Sequence, residues 1–339
     1  MDGRESLGGH PQEPPMPAVR SALREALTRN QMEGLVRMAS LAPSTRNTQP
    51  WRFVVDADGV RLYADLTRWQ RVADPDRREL YLSLGCALEN LVTAAAHEGL
   101  VAHVERFPSA GDPLLVARVT FEPSHLPTAV EDDLAEAIAL RHTAHEAFDR
   151  RPVPPEALAA LARCAPPGGP TLVLTTDAAV RDAAERLQLE ADAVLFGNPA
   201  WRRELAMLVG EGVFGTPWLF AQLGRLAMAY LDLGGVAGKR DAALIHSAPV
   251  LGVICTKEAT PEAQVRAGEL LERVWLRATT LGLALQPVSH AVQVPEIAAR
   301  LRALLPPDAG IPQQPFRLGY LEAAERESPP RRPLEEIVR

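Results

Sequence analysis

Apolar positions along this chain recur with two periods, and the switches between them lay out its elements. Leu23, Leu27, Met32, Leu35, Val36 and Ala39 fall mostly three or four residues apart, the spacing of one helix face, from about Val19 until Ala42-Pro43 stops the pattern. Two short apolar runs, Trp51 to Val55 and Val60 to Tyr63, read as strands joined at Asp58-Gly59. Arg77 to Glu98 is apolar on nearly every face and ends at Gly99, which predicts a central, buried helix. Leu100 to Phe107 and Leu114 to Phe121 read as strands, with 108–113 as their turn. Further on, Glu131 to Leu140 and Val180 to about Phe196 predict helices. Pro249 to Cys255 reads as a buried strand, about Gln264 to Leu281 as a long helix, and Leu283 to Val288 and Phe316 to Leu321 as strands.

The pattern repeats. Gly85, Leu88, Glu89, Ala95, Gly99 and Leu100 return as Gly268, Leu271, Glu272, Ala278, Gly282 and Leu283, each 183 residues on. Leu35, Ala39, Ala42 and Pro43 return as Leu158, Ala162, Ala165 and Pro166, each 123 residues on. After the shared Ala-Pro stop the copies part. The first reads PSTRNTQPW; the second reads PPGGPT, three residues shorter and without Ser, Asn, Gln or Trp. A Gly-Pro turn reverses the chain but has no side chains with which to address a ligand. The expected organisation is a disordered tail over 1–17, one half over 18–127, and a second half over 128–339 with an insertion at about 197–240. The tail is Gly, Pro and charge with little to bury. The insertion contains Trp201, Phe214, Trp218 and Phe220 interrupted by Gly and Pro, which reads either as a cover over something apolar or as extra core packing.

Composition narrows the function classes. The net charge of −7 is mixed in sign along the chain, and Lys occurs only at 239 and 257, so nothing argues for nucleic acid or an anionic membrane surface as partner. No apolar run approaches a membrane span, and no basic segment followed by an apolar one opens the chain, so a cytoplasmic location is expected. Cys86, Cys164 and Cys255 are odd in number and far apart, which predicts buried thiols rather than disulfides or zinc ligands. The eight His show no metal-binding spacing.

Chemically capable residues crowd into two places. Leu41 to Val55, LAPSTRNTQPWRFVV, places Ser44, Thr45, Asn47 and Gln49 in a turn between a helix and a strand. It reads as a Pro-stiffened helix stop or as a turn able to hydrogen-bond a flat polar heterocycle. In the second half, Arg141-His142-Thr143-Ala144-His145, then Phe148 and Pro152-Val153-Pro154, follow the Glu131 to Leu140 helix. Cations there complement a helix dipole or hold an anion.

Taken together, Ala-Pro-Ser, an Asn, Gln-Pro-Trp opening a strand, and an Arg-x-Thr before a Phe and a Pro-x-Pro resemble the nitroreductase superfamily. The fused, unequal halves resemble its Acg-type branch, over roughly residues 30–339. The resemblance implies an α+β fold of mixed, mostly antiparallel sheets flanked by helices, with two pseudo-repeats forming an internal dimer. It implies FMN as cofactor and NAD(P)H as electron donor, with the site shared between halves. Arg141, Thr143, His145 and Arg331 would hold the phosphate, Ser44, Thr45 and Asn47 the polar side of the ring, and Pro287, Ser289 and His290 its central edge. Arg332 reads as part of a solvated tail. The implied chemistry is ping-pong hydride transfer to a nitroaromatic, quinone or similar small molecule, with no protein nucleophile. A flavin-sequestering protein with a lidded site and a flavin-dependent tailoring oxidase stay open beside it. The implied state is a monomer acting as a pseudo-dimer, with further association open, and a single working flavin site.

Overall fold

The computed structural model describes residues 27–124, 129–210, 247–321 and 329–339. The expected tail at 1–17, the start of the first helix and residues 211–240 of the insertion lie outside them. The first helix, α1 (Arg29–Ala39), begins with a reciprocal cap in which Thr28 and Gln31 bond each other's backbone, and it turns Met32, Leu35, Val36 and Ala39 inward. β1 (Trp51–Asp56) and β2 (Gly59–Ala64) form the expected hairpin. α2 (Arg78–His97) then crosses the molecule, and β3 (Leu100–Arg106) and β4 (Leu115–Pro123) complete an antiparallel sheet in the order β1-β2-β4-β3.

The second half runs the same course. After α3 (Ala129–Leu140) come α4 (Pro155–Ala162) and β5 (Thr171–Thr175). α5 (Ala178–Gly197) and α6 (Pro199–Gly210) precede β6 (Val250–Thr256). α7 (Pro261–Thr280), β7 (Ala284–Pro287), α8 (His290–Gln293), α9 (Pro295–Ala303), β8 (Ile311–Gly319) and α10 (Leu334–Ile337) follow. The second sheet has the order β5-β6-β8-β7, the same permutation as the first. The repeat seen in the sequence is therefore a repeat of topology, with α2 and α7 as counterparts. β6 is buried along its whole length, as a continuous apolar strand requires.

The halves are locked where α2 and α7 cross. A Cβ on Gly85 would lie 2.0 Å from the Val265 carbonyl oxygen, and one on Gly268 would lie 2.1 Å from that of Leu82. Backbone thus meets backbone, and only glycine fits at either position. Around the crossing one continuous core runs through both halves, including Phe53, Leu84, Leu88, Val265, Val274 and Phe316. A second tie is made by the chain end. Arg339 N donates to Phe53 O at 2.9 Å and Val55 N donates to Arg339 O at 3.2 Å, so the second half's last residues pair in parallel with β1 of the first.

Three expectations change. The last strand begins at Ile311, five residues early, because Pro312 and Pro315 mask a run whose strand neighbours are β6 and β7. The start of the insertion is a regular helix, α6, with Pro199 in its first turn. Cys164 is half-buried, unlike Cys86 and Cys255. Among the described residues, no helix is long and apolar enough to cross a membrane and no group of side chains could hold a metal ion.

Gly85→Ala is expected to cost about 3 kcal/mol in urea unfolding, because the added methyl must push two helix backbones apart. Gly34→Ala, within α1 and with nothing near its Cβ position, is expected to be neutral or stabilising. Equal stabilities for the two variants would contradict the close crossing.

Candidate functional site

The turn after α1 holds three non-glycine residues at positive φ: Arg46 at 50°, Asn47 at 56° and Gln49 at 50°. Each such residue costs on the order of 1 kcal/mol, so the conformation persists only if its surroundings over-determine it. They do. Gln49 N donates to Ser44 Oγ at 2.9 Å, Asn47 N to Ser44 O at 2.9 Å, and Thr45 N to Ser83 Oγ on α2 at 3.3 Å. From the chain end, Pro330 O accepts from both Asn47 Nδ2 at 3.0 Å and Gln49 Nε2 at 3.2 Å, while Arg332 N donates to Gln49 Oε1 at 2.8 Å. Ser44 thus shapes the turn with its hydroxyl. Arg332 is anchored, which corrects its reading as a solvated tail: it donates to Gln49 O at 3.2 Å and lies 3.6 Å from the Asp65 carboxylate.

Two guanidinium groups from the second half converge on this turn. Arg141 Nη2 donates to Leu41 O at 2.6 Å, and Arg331 Nη2 donates to the same oxygen at 2.9 Å. Arg331 Nη1 also reaches Asn47 Oδ1 at 2.9 Å. Arg141 lies over the Trp275 ring, 4.8 Å from its centroid, with Nε 3.1 Å from Glu272 Oε1. That pair is close but not aligned: Arg141 Nε and both Glu272 carboxylate oxygens are buried without a hydrogen bond of good geometry. Burial, then the Arg141 charge, lowers the Arg331 pKa to about 10. Burial, only partly opposed by Arg141, raises the Glu272 carboxyl to about 7. Two cations therefore share one neutral acceptor and one weakly ionised acid. The arrangement lacks negative charge, and an anion placed here would supply it.

The strip that carries Arg141 is held by the sheet. Ala144 N donates to Leu285 O at 3.1 Å, Thr143 bridges in parallel to Leu285, and the buried Arg317 donates to Ala144 O at 3.2 Å and Glu146 O at 2.9 Å. His145 lies exposed on this strip, its N–H donating to Glu146 Oε2 at 3.0 Å. The structure thus brings Arg141, Arg331 and Asn47 together, and Thr143 and His145 lie on the adjoining strip.

On the other side of the turn lie Pro287, Ser289 and His290. Pro287 ends β7 opposite Phe316, and Ser289 precedes α8. His290 Nδ1 lies 2.6 Å from Asp192 Oδ1 on α5, to which Gln188 Nε2 also donates at 3.0 Å. Trp201 of α6 packs edge-on to the His290 ring at 5.6 Å and to Phe196 at 4.9 Å, and Arg46 from the turn lies 5.1 Å from the Trp201 centroid. Glu204 of α6 accepts from Val72 N at 3.0 Å and Ala73 N at 2.8 Å, tying the insertion to the first half. Beneath, Gln293 Nε2 donates to Glu79 Oε1 at 2.6 Å and Arg78 donates to the same atom at 3.0 Å. Although burial pushes Glu79 up, Arg78 and Arg46 bring its pKa below the ordinary value. Asp74, which caps α2 by accepting from Glu79 N and Leu80 N, is raised to about 7 by burial and then by Glu79. Sequence reasoning missed Arg46, Glu79, Glu272 and Asp192. For Glu272 the repeat with Glu89 was the available signal.

The fold and site define a duplicated α+β protein whose polar turn from one half faces paired arginines from the other. No family model matches the chain. It is 30% identical over 330 residues, 90% of each chain, to Rv3131 of Mycobacterium tuberculosis strain H37Rv, whose name places it among NAD(P)H nitroreductases. It is 28% identical over 319 residues to the protein acg of that strain, also so named, covering 92% of this chain and 96% of the relative. Among solved structures, the FMN-dependent nitroreductase NfnB from Mycobacterium smegmatis in complex with NADPH matches 56% of this chain and 88% of its own at 19% identity and a TM-score of 0.39. This chain belongs to the NAD(P)H nitroreductase family.

Glu272 provides a test of the buried electrostatics. In the unfolded chain its carboxyl titrates at about 4, whereas in the fold it titrates at about 7. The folded state therefore binds the extra proton between those values, and this group's contribution to stability falls as pH rises across the window. Glu272→Gln is expected to flatten the fall in unfolding free energy between about pH 5 and pH 8, by up to about 3 kcal/mol. Parallel pH profiles for the variant and the parent protein would show that Glu272 is not the proton site described.

Proposed function

We propose that the chain holds one FMN between its halves and serves as an NAD(P)H-dependent oxidoreductase for a small conjugated acceptor such as a nitroaromatic or quinone. The observation that carries this reading is the convergence of Arg141 and Arg331, from the second half, on Leu41 O in the first half's turn. Their fit to a phosphate is supported by the buried Arg141 Nε that has no aligned acceptor, and by the burial and then the neighbouring Arg141 charge that lower the Arg331 pKa to about 10. A dianion relieves both. The names of the relatives agree with this chemistry.

Bound there, FMN supplies hydride exchange between a nicotinamide donor and an organic acceptor. The chain's own residues position and shield. Arg141 and Arg331 take the phosphate, with Thr143 and His145 on the adjoining strip. Ser44 fixes the turn so that its backbone, with Thr45 and Asn47, faces the ring's polar side. Pro287, Ser289 and His290 would border the ring on the other side, with the imidazole oriented by Asp192. Trp201 and Phe196 exclude water from above. The same cover supports a second reading, flavin sequestration, because Trp201 packs against both Arg46 of the turn and His290 and so links the two sides. NADPH or NADH added to the yellow protein without oxygen separates the two: bleaching at catalytic speed fits the oxidoreductase, and a colour that persists fits storage.

Arg141→Ala is expected to weaken FMN binding about 10- to 100-fold, the loss of a charge-assisted contact. Pro167→Ala, in the shortened turn of the second half, is expected to leave it unchanged. Equal FMN retention in equilibrium dialysis would remove the support for a site shared in this way.

A further inference from the structure

The fold's internal symmetry generates a second location equivalent to the site just described, and there the structure holds a half-open cavity of about 990 Å³. Its walls are the counterparts of the first site's. Glu89 stands where Glu272 stands in the other copy, Val104 where Pro287 stands, and Cys164 and Pro166 belong to the turn that repeats Leu41 to Pro43. One difference in the wall opens space: Val92 stands where the other copy has the ring of Trp275. The shortened PPGGPT turn further removes the polar side chains that crowd its twin.

What lines the cavity is not the remnant of a flavin slot. Five arginines, at 106, 163, 266, 273 and 277, face it against two glutamates, Glu89 and Glu269, in a protein whose net charge is −7. Arg106 holds Glu269 by a fork of 3.1 and 2.7 Å, and Arg273 holds Glu89 at 2.6 Å. Both glutamates are thereby committed to the wall. Arg163 and Arg277 have no ion-pair partner among the described residues. Between the cations the surface is aliphatic, from Val92, Val104, Leu134, Leu270 and Leu281. A volume at the upper end of small-molecule pockets, an apolar floor and convergent cations make one kind of complement.

We propose that this cavity is a second binding site, separate from the flavin site, for a small organic anion with an apolar body and a carboxylate, phosphate or sulfonate head. The head pairs with Arg163 and Arg277, and the body packs on Val92 and Leu270. The two copies thus take different ligands: the copy with Trp275 and the arginine strip faces one anion, and the copy with Val92 at the equivalent position faces another. The inference does not rest on the flavin reading, because none of these residues belongs to that site.

The probe is 8-anilinonaphthalene-1-sulfonate, titrated by fluorescence into the protein as purified, with FMN content measured in parallel as a check on folding. One saturable probe per chain is expected. Arg163→Ala/Arg277→Ala is expected to weaken it at least tenfold, and Val92→Trp, which fills the space as Trp275 does in the other copy, is expected to abolish it. FMN content stays at the parent level in both variants. Competition by benzoate or by phenyl phosphate then tells which head group is preferred. No saturable binding, or binding that neither variant weakens, would overturn the proposal. So would equal affinity for N-phenyl-1-naphthylamine, which has the same rings without the charge.

Discussion

Everything in this molecule hangs on the contact between Gly85 and Gly268. Two long helices approach until a side chain on either glycine would strike the other's backbone, and this proximity fuses two sheets of identical topology into one core. The same crossing carries Glu89 and Glu272 into the interior, one on each side, where neither can be fully solvated. Each acid must then be met by a cation from nearby, and the two copies met that demand differently. Arg273, on the same helix as Glu272, answers Glu89; Arg141, at the end of α3, approaches Glu272.

That difference sets the two pockets apart. Around Glu272 the supporting cations come from segments remote in sequence and meet a turn from the opposite half, so the site exists only because the halves are held together. The strain in that turn, with Arg46, Asn47 and Gln49 at positive φ, is supported by the chain end through Pro330 and Arg332. The chain end is fixed in turn by its pairing with Phe53 in β1. Strained backbone, paired arginines and the C-terminal clasp thus form one mutually dependent assembly. Around Glu89 the equivalent turn is shorter and Val92 stands where the other copy has Trp275, and the wall there is lined by arginines.

Much of the architecture was legible in the sequence because it is written in local periods. The all-round apolar character of 77–98, the gapless match of six residues to the second half and the Ala-Pro stops each depend on neighbours along the chain. The last strand was read short because Pro312 and Pro315 suppress the pattern that identifies strands, while β6 and β7 supply the pairing that rescues it. Arg332 was misread for a related reason: a charged residue near a chain end looks solvated until the carbonyls it meets, at Gln49 and Trp51, are brought to it by folding. The contacts that give the site its character join residues far apart in sequence, such as Asn47 with Arg331, 284 positions apart, and Asp192 with the insertion-facing His290, 98 apart. The resemblance implied that Asn47, Arg141 and Arg331 share one site, whereas for the buried acids only the repeat, by pairing Glu89 with Glu272, carried a trace.

The central claim is that duplication left one working flavin position shared by both halves. It is tested most directly by counting FMN released on denaturation of the purified chain against protein concentration from amino-acid analysis, after saturation with excess FMN and removal of the unbound fraction. One FMN per chain is the predicted result. Two per chain, with the second lost when Val92 is changed to Trp, would show that the Glu89 pocket is also a flavin site and would contradict the account, as would a chain that retains none.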